Sequence, residues 1–535
     1  MNMNKAFYPL LISIILAGGI YIGYKIQDRN AAKSSMYSNS DGNSKLENIL
    51  QLIEARYVDT VNTQKLYDDA IAKMLEELDP HSVYLPPLEM SHEAEMMDGN
   101  FEGIGIEFMI INDTISVVTP ISGGPSEQAG IGAGDKIILI DDSVATGKKI
   151  TNEFVMKKLK GPKDTKVKVT MLKNGTKKLV TYTIKRNKIP IYSVDAGFML
   201  DNEVGYIKVN RFAKNTYREF MEKLDAMQQK NGMKKLILDL RQNPGGFMDQ
   251  ATLMADEFLA GTKNIVYTEG RSMPRSYEKS QNMGLFEEGK LIILIDEGSA
   301  SASEIVSGAI QDWDRGIIIG RRTFGKGLVQ QEYPLGDGSS VRLTVAKYFT
   351  PSGRCIQRPY EDNISDYYGD ISKRFKDGEV FNADSIKQNS KKVYKTLVKG
   401  RTVYADGGIT PDIFIPLDTS MFNPFVNEIF GLSLIQSFAY DYFNAHNAEF
   451  TKYKSAVDFK NNFVFNDNLY AEFVNYCYTH GASKSNAAYT EKSKYYLSGK
   501  LKAYLAKQVW KSDGYFLVNA QDDRMIQRAM LEMKK

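Results

Sequence analysis

Cysteine occurs only twice in this chain of 535 residues, at Cys355 and Cys477, so no disulfide framework organises it. No cysteine stands near the apolar N-terminal stretch either, which excludes a lipoprotein anchor there. Histidine is almost as scarce. Of His81, His92, His446 and His480, none falls in the segment read below as catalytic; His81 belongs to a Pro-His-Ser turn and His92 to a polar helix. A Ser-His-Asp triad would have to recruit one of them from a distance. Neither sign of charge dominates, with 68 Lys and Arg against 65 Asp and Glu, so nothing suggests an electrostatic footprint for nucleic acid. With 43% hydrophobic residues the chain can bury several cores. Its length suits about three or four domains.

Ala6 to Tyr24 is a nearly unbroken apolar run bounded by Lys5 and Lys25. At about 1.5 Å per residue it just spans a bilayer core. No Ala-x-Ala-like site occurs near residues 17 to 26, so an uncleaved anchor is expected rather than a cleaved signal peptide. Lys5 on one side and Lys25, Arg29 and Lys33 on the other leave its orientation open. A polar linker, Asn30 to Asn43, leads into residues 44 to 79, where Leu46, Ile49, Leu50 and Ile53, then Leu66, Ala70, Met74 and Leu78, repeat at helical spacing.

Gly298-Ser-Ala-Ser-Ala-Ser-Glu304 directly follows the apolar run Leu291 to Ile295 and places small hydroxyl side chains where a buried strand turns into a helix. A serine there sits at the positive end of the helix dipole, beside free backbone N–H groups able to hold an oxyanion. The same residues, Ser301 to Glu304, also fit a capping box, and Glu304 reads as a cap rather than an acid. Three neighbouring serines leave the choice of nucleophile open. Lys326 lies between Gly325 and Gly327 in Thr323-Phe-Gly-Lys-Gly-Leu-Val-Gln330. Its amine can act as a base only when neutral, which requires burial or nearby positive charge. Asp312, three helical turns beyond Ser301, reads as a structural carboxylate. Ser276-x-x-Lys279 matches the signature of penicillin-binding sites, but no Lys-Thr-Gly or Ser-Asp-Asn accompanies it.

From Val204 onward strands and helices alternate: Val204 to Val209, Tyr217 to Gln229, Lys235 to Leu240, Met248 to Leu259, Leu291 to Ile295, Ser301 to Trp313 and Gly316 to Ile319. That order implies an α/β core with crossover connections. Residues 360 to 395 are polar and read as an insertion or mobile surface segment. The aromatic, lysine-rich tail to Lys535 looks helical, its Tyr and Phe serving a core rather than a ligand.

The glycine-flanked lysine, the serine cluster and Arg241-Gln-Asn-Pro-Gly-Gly246 together resemble the carboxy-terminal processing, or tail-specific, proteases. The resemblance begins at Leu78-Asp-Pro-His-Ser-Val-Tyr84 and continues through Thr350-Pro-Ser-Gly-Arg354 to Gly408-Ile-Thr-Pro-Asp412. It implies Ser301 as nucleophile, Lys326 as general base and Gln330 as the group orienting the amine. It further implies an oxyanion hole made by the N–H of Ala302 and that of Gly246 or Gly245. On a straight strand positions 326 and 330 stand about 13 Å apart, so contact between them requires a bend. The core implied is of the ClpP and crotonase kind.

Residues 98 to 186 resemble a PDZ domain. Phe101-Glu-Gly-Ile-Gly-Ile-Glu-Phe108 would form its carboxylate-binding loop and the strand that accepts a peptide by β-augmentation. Gly103 and Gly105 would allow the approach, and the N–H groups of Ile104, Gly105 and Ile106 would hold the carboxylate. The division expected is an anchor or signal over 1–30, a linker and helical region over 31–97, the PDZ domain over 98–186, a peptidase core over 187–416 and a helical domain over 417–535.

The resemblance, added to these features, implies a multidomain α/β protein acting as an exported serine endopeptidase. It would be tethered to the cytoplasmic membrane with its catalytic domain outside and, by the resemblance, act on proteins with accessible apolar C-termini; its N-terminal helices would either pack on the core or mediate a homodimer. No cofactor and no metal are implied. The rivals are a catalytically silent PDZ adaptor and an acyl-transfer enzyme working on cell-wall peptides.

Overall fold

The computed structural model describes residues 18–19, 21, 43–121, 123–176, 178–230, 232–360, 364–386, 393–484 and 491–535. The expected anchor, Ala6 to Tyr24, therefore lies outside the described residues except for Gly18, Gly19 and Tyr21. Among the described residues no helix is long and apolar enough to cross a membrane. The chain forms two compact units, residues 1–78 and 79–535. In the first, helices Asn43–Arg56 and Thr63–Glu76 follow the expected periodicity, the second capped by Asn62 Oδ1, which accepts the Lys65 N–H at 3.1 Å. Leu50 and Leu75 are buried there, whereas Ile49, Met74 and Leu78 remain exposed.

The second unit is built on a six-stranded sheet, ordered Val194–Met199, Val204–Val209, Lys235–Asp239, Lys290–Ile295, Ile317–Gly320 and Ile413–Phe414. The first pair is antiparallel and the others run parallel. Apolar side chains point to both faces of the parallel strands, so both faces must be covered. Helices Thr216–Asp225, Met248–Asp256 and Ala302–Asp312 cover one face through Phe220, Met254, Val306 and Ile310. The C-terminal helix Arg524–Lys534 covers the other, laying Met525, Ile526, Ala529 and Met533 on Tyr206, Ile237, Ile292 and Leu294. Each large side chain so buried contributes about 2 kcal/mol of hydrophobic stabilisation.

A second sheet, antiparallel, runs Ile106–Ile111, Thr114–Pro120, Lys136–Ile140, Lys166–Leu172 and Leu179–Lys185, flanked by helix Asn152–Leu159. Entry and exit of this insert are tied together by the strands Asn100–Gly103 and Asn187–Pro190. A third sheet joins Val83–Leu85, Ser340–Phe349, Asn264–Glu269 and Ser276–Lys279, with Leu328–Pro334 folded back on Ser340–Phe349.

Among the described residues the tail is helical as expected, and its helices from Pro424–Gly431 onward, apart from the sheet-covering Arg524–Lys534, enclose a core that includes Phe425, Phe438 and Phe473. It touches the inserted sheet, where the Tyr440 hydroxyl donates to the Val117 carbonyl at 3.0 Å and Lys507 pairs with Glu107 at 2.6 Å. Within the stretch 360 to 395, the described residues 364–386 depart in part from the surface reading. Ile364–Lys376 is a helix, and Tyr367, Arg374, Glu379 and Val380 are buried. The polar composition misled because two of its charged residues, Arg374 and Glu379, are buried in ion pairs, among them Arg322 with Glu379 at 2.6 Å.

Candidate active site

Ser301 stands at the turn between strand Lys290–Ile295 and helix Ala302–Asp312, with φ 52° and ψ −113°. A non-glycine residue held there stores backbone strain, of a kind that clusters at reactive sites. Ala302 is the first helical residue, so its N–H has no partner within the helix. Gly245 lies against this turn: a Cβ on it would come within 2.8 Å of Ser301 Cβ and 2.9 Å of Ala302 N. Its φ of 100° and that closeness both require glycine. The Gly245 N–H is donated to Asn243 Oδ1 at 2.9 Å, which leaves the exposed Gly246 as the candidate donor of the pair. Ser299 and Ser303 serve the turn instead. Ser299 Oγ donates to the Leu240 carbonyl at 2.9 Å and Ser303 Oγ to the Asn243 carbonyl at 3.0 Å.

The fully buried Glu304 brings the serine turn and the lysine loop together. Its Oε2 accepts the N–H of Ser301 at 2.8 Å and that of Lys326 at 2.9 Å. Its Oε1 accepts Thr323 Oγ1 at 2.5 Å and the Gly325 N–H at 2.8 Å. Burial pushes the Glu304 carboxyl up from its ordinary pKa, against the four donors that hold it down. From the opposite side the Tyr348 hydroxyl shares its one proton between the carbonyls of Ser301 at 3.1 Å and Lys326 at 2.6 Å. The expectation of a cap at Glu304 holds, but its larger work is to span two segments. The Ser-x-x-Glu spacing showed the cap; the donors from residues 323 to 326 had no sequence signal.

Burial, and then the positive charge of Arg342, lower the Lys326 pKa to about 8, while Glu304, Asp79 and Glu93 pull the other way. Arg342 is itself clasped by Glu93 and Glu332. His81, absent from the sequence reading of this site, lies within electrostatic reach of Lys326. Burial, and then Lys326, hold its pKa at about 3, so it is neutral, and its Nε2 meets the Tyr367 hydroxyl at 2.6 Å. Gln330 sits at a register shift in its strand, between Val329 and Gln330. Its Nε2 donates to Thr344 Oγ1 at 3.4 Å, and that hydroxyl donates to Asp79 Oδ1 at 3.0 Å. The bulge supplies an irregularity of the kind that contact with Lys326 would need. Asp312 is a structural carboxylate, paired with Arg354 at 2.5 Å.

On the inserted domain, strand Ile106–Ile111 pairs, among the described residues, only with Thr114–Pro120, so it is an edge strand of the kind that can accept an extended peptide. Gly105 has φ 75°. Ile104 is buried and its carbonyl accepts Ser126 Oγ at 2.7 Å, which fixes the loop from behind. Gly103 runs close to the end of helix Asn152–Leu159, where a Cβ would lie 3.6 Å from the Leu159 carbonyl.

The pattern of peptidase family S41 matches residues 203–365 and that of the PDZ domain residues 103–184. The N-terminal domain of the activating protease CtpB matches residues 13–87, and a family of unknown function residues 425–511. The chain is 38% identical over 313 residues to a carboxy-terminal-processing protease of Bartonella bacilliformis, covering 58% of this chain and 71% of that one. It is 31% identical over 417 residues to the carboxy-terminal processing protease CtpA of Bacillus subtilis, covering 75% and 87%. A solved photosystem II D1 C-terminal processing protease aligns at 25% identity with a TM-score of 0.35, over 69% of this chain and 91% of that one. The chain belongs to the carboxy-terminal processing proteases of peptidase family S41, and it is a serine peptidase carrying a PDZ domain.

Proposed function

We propose that Ser301 and Lys326 form a catalytic dyad. The neutral Lys326 amine takes the Ser301 hydroxyl proton as the oxygen attacks the scissile carbonyl, and the resulting ammonium gives that proton to the departing amine. Water, deprotonated by the same amine, then attacks the acyl carbonyl, and as the bond to the Ser301 oxygen breaks that oxygen takes the proton back from the ammonium. The N–H groups of Ala302 and Gly246 hold the oxyanion, each worth on the order of 3 kcal/mol in the transition state. Gln330, steadied by Thr344 and Asp79, orients the amine. The observation that carries this reading is the single Glu304 oxygen that accepts both the Ser301 and the Lys326 N–H.

The loop of Gly103, Ile104, Gly105 and Ile106 captures the C-terminus of an apolar protein tail and delivers it from the PDZ domain, residues 98–186, to the core, residues 187–416. The enzyme works outside the cytoplasmic membrane, tethered through Ala6 to Tyr24, and the exposed apolar residues of helices Asn43–Arg56 and Thr63–Glu76 favour a homodimer. Incubation of the protein with unfolded casein tests the dyad. Cleavage by the wild type that disappears in both Ser301→Ala and Lys326→Ala supports it; binding without cleavage by the wild type marks an adaptor and refutes it.

A further inference from the structure

The loop that carries Lys326 is gripped by residues 364–380, which lie almost wholly beyond the region matching the peptidase family. The buried Arg374 donates through Nη1 to the Thr323 carbonyl at 2.7 Å and the Arg322 carbonyl at 3.3 Å. Its Nη2 donates to the Phe324 carbonyl at 3.3 Å. One guanidinium thus collects three consecutive carbonyls of the segment leading into Lys326. Arg322 is locked in a two-pronged pair with Glu379, Nε to Oε1 at 2.7 Å and Nη2 to Oε2 at 2.6 Å. Asp370 pairs with both Arg374 and Arg358 at 2.7 Å, and the Arg358 guanidinium lies 3.9 Å from the ring centres of Phe324 and Tyr367 alike. Tyr367 in turn meets His81 beside the lysine.

A surface insertion has no need of such bonds. Backbone carbonyls could be satisfied by water, and removing three guanidinium groups from water costs more than exposed ion pairs return. Charge-assisted, planar and multiply bonded guanidinium contacts hold a backbone to a fixed place, which is what a base acting on a hydroxyl requires. We infer that Arg374, Glu379 and Tyr367 are positioning residues of the protease, and that the 364–380 segment is a brace that fixes the lysine loop against Ser301. The inference rests on the Ser301 and Lys326 reading. Burial and the neighbouring Arg322 lower the Arg374 pKa to about 10, so it remains charged at neutral pH and keeps its three carbonyls.

The test uses Glu379→Gln, Tyr367→Phe and Arg374→Lys in the full chain, with Lys326→Ala alongside, and a fluorogenic peptide with an apolar C-terminus as substrate. Each brace variant leaves in place the groups that face Lys326 from its surroundings: Glu304, Asp79, Glu93, Arg342 and His81. Loosening the loop is expected to lower kcat at least about tenfold, because small misplacements of a catalytic group are costly. KM should change by no more than about twofold. The acid limb of the pH profile should move upward from about 8 toward the ordinary lysine value of 10.5 as water reaches the amine. Binding of a tail peptide and the unfolding midpoint serve as controls for the fold. Wild-type kcat and an unmoved acid limb in Glu379→Gln and Tyr367→Phe overturn the brace, as does a loss of activity that merely follows loss of folded protein. Full activity of Lys326→Ala would instead sink the dyad itself, a separate outcome.

Discussion

Glu304 Oε2 accepts the Lys326 N–H at 2.9 Å while also holding the Ser301 N–H at 2.8 Å. Residues far apart in sequence are thereby fixed across one buried oxygen, and the opposite side is closed by Tyr348. The carboxylate needs no proton of its own for this. It supplies only acceptors, two donors to each oxygen.

Glu304→Gln replaces one acceptor oxygen by an NH2 group that faces two donors. Leaving buried donors without acceptors costs about 1–3 kcal/mol each, so a stability loss of about 3 kcal/mol is expected. Proteolysis should fall with it, because the serine turn and lysine loop lose their shared anchor. Urea unfolding measures the first and casein cleavage the second; an unchanged midpoint would remove Glu304 from its bridging place.

The pH profile follows from the lysine. Below about 8 the Lys326 amine is protonated and cannot take the Ser301 proton, so kcat/KM should rise with pH through about 8. Arg342→Gln removes a positive charge that depresses this value, and the limb should then move to higher pH. His81 stays neutral, being held at about 3, so no inflection near its ordinary 6.5 should occur. A limb near 6.5, or a downward shift in Arg342→Gln, would contradict the assignment.

Much of this architecture was legible beforehand. The strand Val204–Val209 and the helix over residues 302–312 announced themselves through apolar runs bounded by turns. What local spacing could not encode were partners brought from a distance, such as Asp79 to Thr344 and Arg374 to the Thr323 carbonyl. The polar stretch 360–395 misled for the same reason: buried arginines look like surface residues until their carboxylates and carbonyls are known. The helix expected over Tyr217 to Gln229 is also interrupted, passing from an α-helix at Thr216–Asp225 into a π-turn at Ala226–Lys230.

Backbone strain at Ser301 should separate two variants that both lack the proposed nucleophile. Glycine adopts φ 52° and ψ −113° at little cost, whereas alanine retains the steric penalty. Strain of this sort is worth about 1–3 kcal/mol, so Ser301→Gly should be more stable than Ser301→Ala by about 1 kcal/mol despite its larger unfolded-state entropy. Thermal unfolding of the two proteins checks this. Equal midpoints, or a more stable alanine variant, would mean the turn is unstrained.

Gly105→Ala tests the PDZ loop. Its φ of 75° and the 2.8 Å from a new Cβ to Ile189 Cδ1 both disfavour a side chain there. The loop should shift, weakening capture of a labelled apolar tail peptide by about tenfold or more, while cleavage of a short peptide that bypasses the PDZ domain persists. Fluorescence anisotropy reads the first effect. Undiminished tail binding would place the carboxylate elsewhere.

The account turns on which hydroxyl attacks and what deprotonates it, and a fluorophosphonate probe followed by peptide mapping decides both. Labelling is expected on Ser301 in the wild type, rising with pH through about 8, and largely lost in Lys326→Met. An adduct on Ser299 or Ser303, or labelling of Ser301 at an undiminished rate without the lysine amine, would contradict it.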